Sequence, residues 1–442
     1  MSVSLPRKKI RLIQLVAIIF FTVSGGPFGL EPLLTYAGQH GAMLILLITP
    51  LLWDVPAILT VMELNSMMPV TGGYYQWVKY GLGQRLGFYE GWWTWLYTFV
   101  DLAIYPVLFV GYATFFFPGL EYYKVPLYLL IIWGSAGLNI LGIMQVGKTS
   151  LLLSALVLSP FIILFVIAAN TTGNHAVPAP SLHGIPFPSM GMALYTVMWN
   201  CLGWDNITTY AQEVDKPVRS YLYAIAIAFG LVIVLYALTI FVAQQSGINA
   251  AVLTDKGFPV LGLHYGGHWL GALVAAGGMA STLGIYAAVL LSVSRVPQAM
   301  SDDKLLPKAL HRLHPRFKTP YVSILICSVV VSLMVLWTFS ELLIIDVIVY
   351  GAGLSLEYIT LIKLRIKEPD RNRPFKIPMN VLGLCLLLLL PVLVYIVALA
   401  GAFTSDGQGI KPALFAIGAL LSAELVWQII SWRKLRISRD EF

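Results

Sequence analysis

Charge is scarce in this chain. Asp, Glu, Lys and Arg make up 11% of its 442 residues and hydrophobic residues 58%, against about 25% and 45–50% in soluble domains, so a water-soluble globule is excluded. Cysteine is scarcer still: Cys201, Cys327 and Cys385 stand far apart in apolar stretches, which leaves neither a disulfide framework nor a C-x-x-C metal site. H-E-x-x-H, G-x-S-x-G and the Walker lysine loop are all missing. Gly351-Ala352-Gly353 lies inside an apolar run, where a dinucleotide motif cannot operate. His311 and His314 form an H-x-x-H in a hydrophilic loop and read as solvated residues rather than a metal pair. These absences argue against an enzyme, a metal and a cofactor.

Long apolar runs, by contrast, recur from end to end. Spans are expected near 12–37, 42–67, 89–117, 125–143, 148–169, 190–212, 219–245, 262–295, 318–339, 341–365, 378–402 and 411–433, each offering the roughly 20 residues that cross a bilayer. With the N-terminus inside, the outer loops keep only Lys124, Lys256 and Lys411 of the 28 basic residues. That bias places both termini in the cytoplasm and requires an even number of spans. The net charge of +7 is therefore topological, with no sign of nucleic-acid binding. The expectation is an all-α, multi-pass protein of the cell membrane, a single unit over 1–442 with the lipid bilayer as its environment and no obligate protein partner evident.

Two of these runs are interrupted, at corresponding places in the two halves of the chain. Ser24-Gly25-Gly26-Pro27-Phe28-Gly29 breaks the first span, and Asn200-Cys201-Leu202-Gly203-Trp204 breaks the sixth. Backbone that leaves the helix inside a bilayer is tolerated only where protein or a water-filled cavity satisfies its polar groups. Paired breaks are the sequence mark of a transporter built from inverted repeats, with its substrate at the midplane.

The motifs around the breaks carry a resemblance. Val23-Ser24-Gly25-Gly26-Pro27-Phe28-Gly29-Leu30-Glu31 looks like the first-helix signature of the polyamine:proton symporter group in the amino acid–polyamine–organocation transporters. Trp199-Asn200-Cys201-Leu202-Gly203-Trp204-Asp205 and the following Ala211-Gln212-Glu213-Val214-Asp215-Lys216-Pro217 resemble the same group's sixth helix and its exit. Pro50-Leu51-Leu52-Trp53, Gly72-Gly73-Tyr74, Glu90-Gly91-Trp92-Trp93, Leu305-Leu306-Pro307 and Leu364-Arg365-Ile366-Lys367-Glu368-Pro369 extend the similarity. The resemblance implies a five-plus-five inverted repeat of the LeuT type, with repeat one over about 12–169, repeat two over about 190–365 and two peripheral helices over about 378–433.

Acidic residues at membrane depth are costly, around 2.5–3.5 kcal/mol each on insertion scales, and are usually functional or paired. Glu31 follows the first break and Asp205 the second, so both are expected to border one cavity. Asp101 and Tyr105 lie at i and i+4 on one helix face, and Asp346, Tyr350, Gly353 and Glu357 form a similar stripe. Asp346 is close enough to a helix end to expect solvation, and pairing with a cytoplasmic-side base is one expectation for Glu357. Glu63 and Glu213, at inner helix ends, are expected in gate or packing contacts. Phe28, Tyr105, Trp199, Trp204 and Tyr350 supply aromatic faces that attract an alkylammonium by about 0.5–2 kcal/mol. Trp204 beside Asp205 is expected to offer face and counter-ion together.

The expected substrate-binding set is thus Ser24, Gly25, Gly26, Phe28, Glu31, Asp101, Tyr105, Trp199, Asn200, Gly203, Trp204, Asp205, Tyr350 and Glu357, with Glu31 and Asp205 as proton carriers. Some proton-coupled relatives place a Lys in the fifth helix against the first; aligning the pattern puts Val157 there, so if protons drive uptake a carboxylate is expected to carry them, while sodium is not strictly excluded. Sodium sites in this fold draw hydroxyls from the eighth helix, where Ser281, Thr282 and Ser292 stand. The expected partners are protons and a small molecule, a polyamine such as putrescine or spermidine. A proton-coupled amino acid permease is the alternative, and a transporter-like nutrient sensor a further one.

Overall fold

The apolar run from Leu12 stays helical to Val23 and then stops, because Gly25, Gly26 and Gly29 all take positive φ (65°, 118° and 95°) and Pro27 has no N–H to continue the ladder. The helix resumes at Glu31. The computed structural model describes residues 10–171, 175–177, 179–336, 339–404 and 410–440; the N-terminal bases Arg7, Lys8 and Lys9 lie outside them.

The α-helices in chain order are α1 (Leu12–Val23), α2 (Glu31–Leu52), α3 (Asp54–Met67), α4 (Gly73–Leu82), α5 (Gln84–Ala113), α6 (Lys124–Leu141), α7 (Ile143–Asn170), α8 (Phe187–Trp199) and α9 (Pro217–Gln245). They continue with α10 (Ala250–Lys256), α11 (Pro259–Gly266), α12 (His268–Val293), α13 (Arg295–Asp302), α14 (Tyr321–Met334), α15 (Phe339–Lys367), α16 (Val381–Thr404) and α17 (Ile410–Asp440). Among the described residues, nine helical stretches are long and apolar enough to cross a membrane, with Glu31–Met67 counted as one, and α1 and α14 are shorter apolar helices.

The departures from the expected spans have local causes. A kink at Gly38 (φ 65°, ψ 176°) divides α2, so the second part of the first run, Glu31 to Ala37, is joined directly to the next. The sixth run is helical only as far as Trp199; beyond its break the chain makes 3₁₀ turns at Asn206–Thr209 and Ala211–Glu213 instead of a second half-helix. The eighth run is preceded by the short helices α10 and α11, which end at Gly257 and Gly267.

Burial sorts the helices into an inner and an outer set. The apolar window of α15 is 83% buried and that of α17 only 17%, so α17 faces lipid and α15 the protein core. α12 packs on α5 and α7, α15 on α5, α2 on α8, and α1 on α9. The register of α5 against α15 is fixed by two contacts. Tyr97 meets Tyr350 edge to face with ring centroids 5.3 Å apart, and a Cβ at Gly353 would come within 3.0 Å of Glu90 Oε1. The two helices therefore run antiparallel, and each presents a Glu two turns to one side of its Tyr and an Asp one turn to the other.

Candidate functional site

The two breaks touch. An ideal Cβ on Gly29 would lie 2.6 Å from Trp199 Cζ3, at the end of α8, and one on Gly203 would lie 3.0 Å from Thr22 O in α1. A Cβ at Gly29 would require Trp199 to shift, and one at Gly203 would press on the Thr22 carbonyl. Tyr236 on α9 bridges the breaks: its hydroxyl donates to Asn200 O at 2.7 Å and lies 2.6 Å from Ser24 Oγ. The amides of the first break are largely occupied internally. Gly25 N–H donates to Phe20 O, Gly26 N–H to Ser24 Oγ and Gly29 N–H to Glu31 Oε2 at 2.6 Å.

The second break opens onto carboxyl groups. Tyr350 donates to Asp205 Oδ1 at 2.9 Å and accepts from Gly203 N–H at 3.4 Å. The Glu357 carboxyl lies within hydrogen-bonding reach of Asp205, yet neither of its oxygens has a donor among the described residues. Two neighbouring buried carboxyls with no base beside them repel when both are ionised. Glu90 adds a third carboxyl, held by Thr94 on one oxygen and without a partner on the other. Asn206, next to Asp205, donates to Tyr97 at 2.6 Å and accepts from Tyr74 at 3.3 Å. One turn away, Asp101 accepts from Tyr105 at 2.6 Å and is hydrogen-bonded to the Trp199 indole. Among the described residues no Lys or Arg pairs with Glu90, Asp101, Asp205, Asp346 or Glu357.

Glu31 has different surroundings. Besides Gly29 N–H, it accepts from Tyr112 at 3.2 Å and from Phe258 N–H at 3.4 Å, and its backbone carbonyl accepts from Thr254. It borders a cavity of about 300 Å³ lined by Gly29, Tyr112, Thr196, Thr254, Lys256 and neighbours, and Asp205 does not line it. Phe28 packs in the same region, edge to face with Tyr112 and Phe161. Val157 stands against the first break, its Cγ1 2.9 Å from where a Gly26 Cβ would be, and on the α12 side Ser281 Oγ approaches Gly25.

Glu31 and Asp205, expected at one cavity, do not share the one that Glu31 borders, and three side chains sit otherwise than the sequence suggests. Asp346 is fully buried rather than solvated, because α15 starts at Phe339 and carries it into the packed interface with α5. The nearest base to Glu357 in sequence that could pair inward, Arg365, is taken by Glu63: the guanidinium donates to both Glu63 oxygens at 2.5 and 2.6 Å, with Arg373 Nε at 3.2 Å. Trp204 turns from Asp205, donating its indole N–H to Asp54 at 3.2 Å and packing on Phe229. Glu63 and Glu213, paired with Arg365 and Arg295, make the expected packing contacts. The structure adds Glu90, Tyr97, Tyr112 and Tyr236, which the sequence does not single out. For the first two, a signal exists in the spacing Glu90, Tyr97, Asp101, which mirrors Glu357, Tyr350, Asp346 in reverse.

Comparison with known proteins gives the family of the chain. The amino acid permease family matches residues 10–420. A polyamine transporter of Arabidopsis thaliana is 31% identical over 94% of this chain and 84% of its own length. A probable polyamine transporter of the same plant is 33% identical over 89% and 82%, and a polyamine transporter of Oryza sativa subsp. japonica 30% identical over 93% and 76%. The chain is therefore a multi-pass membrane transporter of the amino acid permease family, within the amino acid–polyamine–organocation superfamily.

Proposed function

We propose that this chain imports a polyamine such as putrescine or spermidine by proton symport. The observation that carries the reading is the Asp205–Glu357 carboxyl pair at the second break, buried with Glu90 beside it and without a basic partner among the described residues. An uncompensated cluster of acids in a low-dielectric interior is stable only with protons or organic cations in it. Symport follows when one carboxyl of the cluster carries a proton while another, ionised, holds the ammonium, so that both are bound together and released together to the inside. Asp205 is then both substrate ligand and proton carrier, sharing its proton with Glu357. Glu31, under the α10–α11 segment, is the second proton carrier, placed where it also controls access.

Twelve spans, both termini in the cytoplasm and a five-plus-five inverted repeat complete this reading. Repeat one runs over about 12–169 and repeat two over about 190–365, with α16 and α17 peripheral, and alternating access follows from movement of one bundle against the other. The binding-set residues Ser24, Gly25, Gly26, Phe28, Tyr105, Trp199, Asn200 and Gly203 line the path between the breaks. The amino acid alternative needs amides free to hold a carboxylate. Three of the N–H groups between Gly25 and Gly29 already have partners, and Pro27 has none to offer.

Proteoliposomes containing only the purified chain test the proposal. Radiolabelled putrescine or spermidine is expected to accumulate under an inward proton gradient without sodium. Uptake that strictly requires sodium defeats the coupling, and a neutral amino acid outcompeting every polyamine defeats the substrate. Binding without flux would favour the sensor.

A further inference from the structure

Asp346 is an interior acid without a partner. Its side chain is 0% solvent-accessible and neither carboxyl oxygen has a hydrogen-bond partner among the described residues. Ionised, it lacks a counter-charge; protonated, it still leaves its own O–H and C=O unmatched, a loss that buried polar groups rarely accept. Its neighbour Asp101 differs. Asp101 is already satisfied by Tyr105 and Trp199, and the two carboxyls are close enough to repel.

The position of this pair follows from the helix register. Tyr97 and Tyr350 meet at 5.3 Å, and Asp101 and Asp346 each lie one turn from them on the same side, toward Lys256. Glu90 and Glu357 lie two turns to the other side. Asp346 and Glu357 are thus separated by about 16 Å along α15, as are Asp101 and Glu90 along α5. Aromatic rings occupy the interval. Tyr97 and Tyr105 both lie within electrostatic range of Asp346, and Tyr105 stacks on Trp199 with centroids 6.4 Å apart.

We propose that Asp346, backed by Asp101, is a second ammonium-binding pole, so that the site grips a linear amine at both ends across the Tyr97–Tyr350 pair. This rests on the polyamine reading and deepens it. An alkylammonium has three N–H donors, enough to occupy both free Asp346 oxygens, and Tyr105 with Trp199 gives it an aromatic wall. The near ammonium belongs to Asp205 and Glu357. Length selection follows, because a diamine shorter than the interval reaches one pole only.

The test uses the full chain in nanodiscs and equilibrium binding of putrescine, spermidine and α,ω-diamines of increasing chain length. In the parent protein affinity is expected to rise with length beyond putrescine. Asp346→Asn should lower the affinity for spermidine and the long diamines by about thirtyfold or more, the usual consequence of removing one partner of a desolvated charge pair. Putrescine should lose less than about threefold. Equal losses for short and long amines, or no loss, overturn the second pole. Should Asp346→Asn fail to fold, Asp346→Glu reads the same geometry: the charge advances by a methylene and the length optimum shifts toward shorter amines, whereas an unmoved optimum overturns the proposal. A parent protein that binds no amine at all defeats the polyamine reading itself. A parent that binds amines with no length dependence defeats only the second pole.

Discussion

Tyr350 donates its hydroxyl proton to Asp205 across 2.9 Å, which fastens the middle of α15 to the break that follows α8. The same oxygen accepts from Gly203 N–H, so one side chain orients the carboxylate and occupies a backbone donor freed by the break. Tyr350→Phe should therefore weaken polyamine binding without preventing insertion. Loss of a hydrogen bond to a charged acceptor is worth about 1.5–3 kcal/mol, or roughly ten- to a hundredfold in Kd, measurable by equilibrium binding on the purified variant.

The two carboxyls of the shared-proton pair should respond differently. Asp205→Asn removes the anion that Tyr350 presents and is expected to lose binding at every pH, by about 2–5 kcal/mol. Glu357→Gln leaves that anion in place and removes the partner of its proton. Binding at high pH should then persist, where Asp205 is ionised in parent and variant alike, while the dependence of uptake on external pH flattens. Uptake in proteoliposomes across a pH series checks this. If Glu357→Gln keeps the parent's pH profile, the proton is carried elsewhere.

Glu31 faces donors only: Gly29 N–H, Tyr112 O–H and Phe258 N–H. In Glu31→Gln the amide group offers one acceptor and two further donors, so at least one of these contacts turns repulsive. The expected loss is about 1–3 kcal/mol, located where Glu31 holds the start of α11. Faster hydrogen exchange over 254–262 than in the parent is the readout, and unchanged exchange there would show that Glu31 does not fasten this segment.

Much of this arrangement is legible in the sequence because a membrane makes backbone irregularity conspicuous. The glycines at 25, 26, 29 and 203 mark both breaks, since an apolar run interrupted by glycine and polar residues holds its helix poorly at that point. The direction of individual side chains is not legible. Trp204 follows a residue with φ of 97°, and no periodicity extends through such a turn to say that the indole points to Asp54 rather than to Asp205. Distance from the end of the hydrophobic run suggests solvation for Asp346, whereas its burial depends on the packing of α15 against α5. The absence of a second half-helix after Gly203 is hidden by composition: Ile207, Thr208 and Thr209 are as apolar as many helical residues, yet they form a 3₁₀ turn.

At the other end of the bundle, Glu63 is buried under Arg365 and Arg373 and also accepts from Ile377 N–H at 2.9 Å. That one carboxylate joins α3, α15 and the loop before α16. Glu63→Gln leaves two largely buried guanidinium groups without their anion, and breaking such a pair from one side costs about 3–5 kcal/mol. The melting temperature in detergent should fall clearly. Replacing Glu63 and Arg365 together by Leu and Met should cost less than the two single changes summed, since only Arg373 is then left without its anion. An additive result would show that the pair is not a unit.

The breaks themselves make the most local prediction. Gly29→Ala forces a Cβ to within 2.6 Å of Trp199 Cζ3 at a φ of 95°, so backbone strain and a clash arrive together. Trp199 has little freedom to retreat, since its ring stacks on Tyr105 and its indole is engaged with Asp101. The two breaks must then separate, and uptake should fall by at least tenfold, equivalent to about 1.4 kcal/mol. Gly418→Ala on α17 is the matched control: a Cβ there meets nothing within 4 Å, and in a helix interior Ala is favoured over Gly by about 1 kcal/mol. Normal yield and uptake for Gly418→Ala, with normal yield and lost uptake for Gly29→Ala, would tie function to the contact between the breaks. Parent-like uptake by Gly29→Ala would mean that this contact is not maintained during transport.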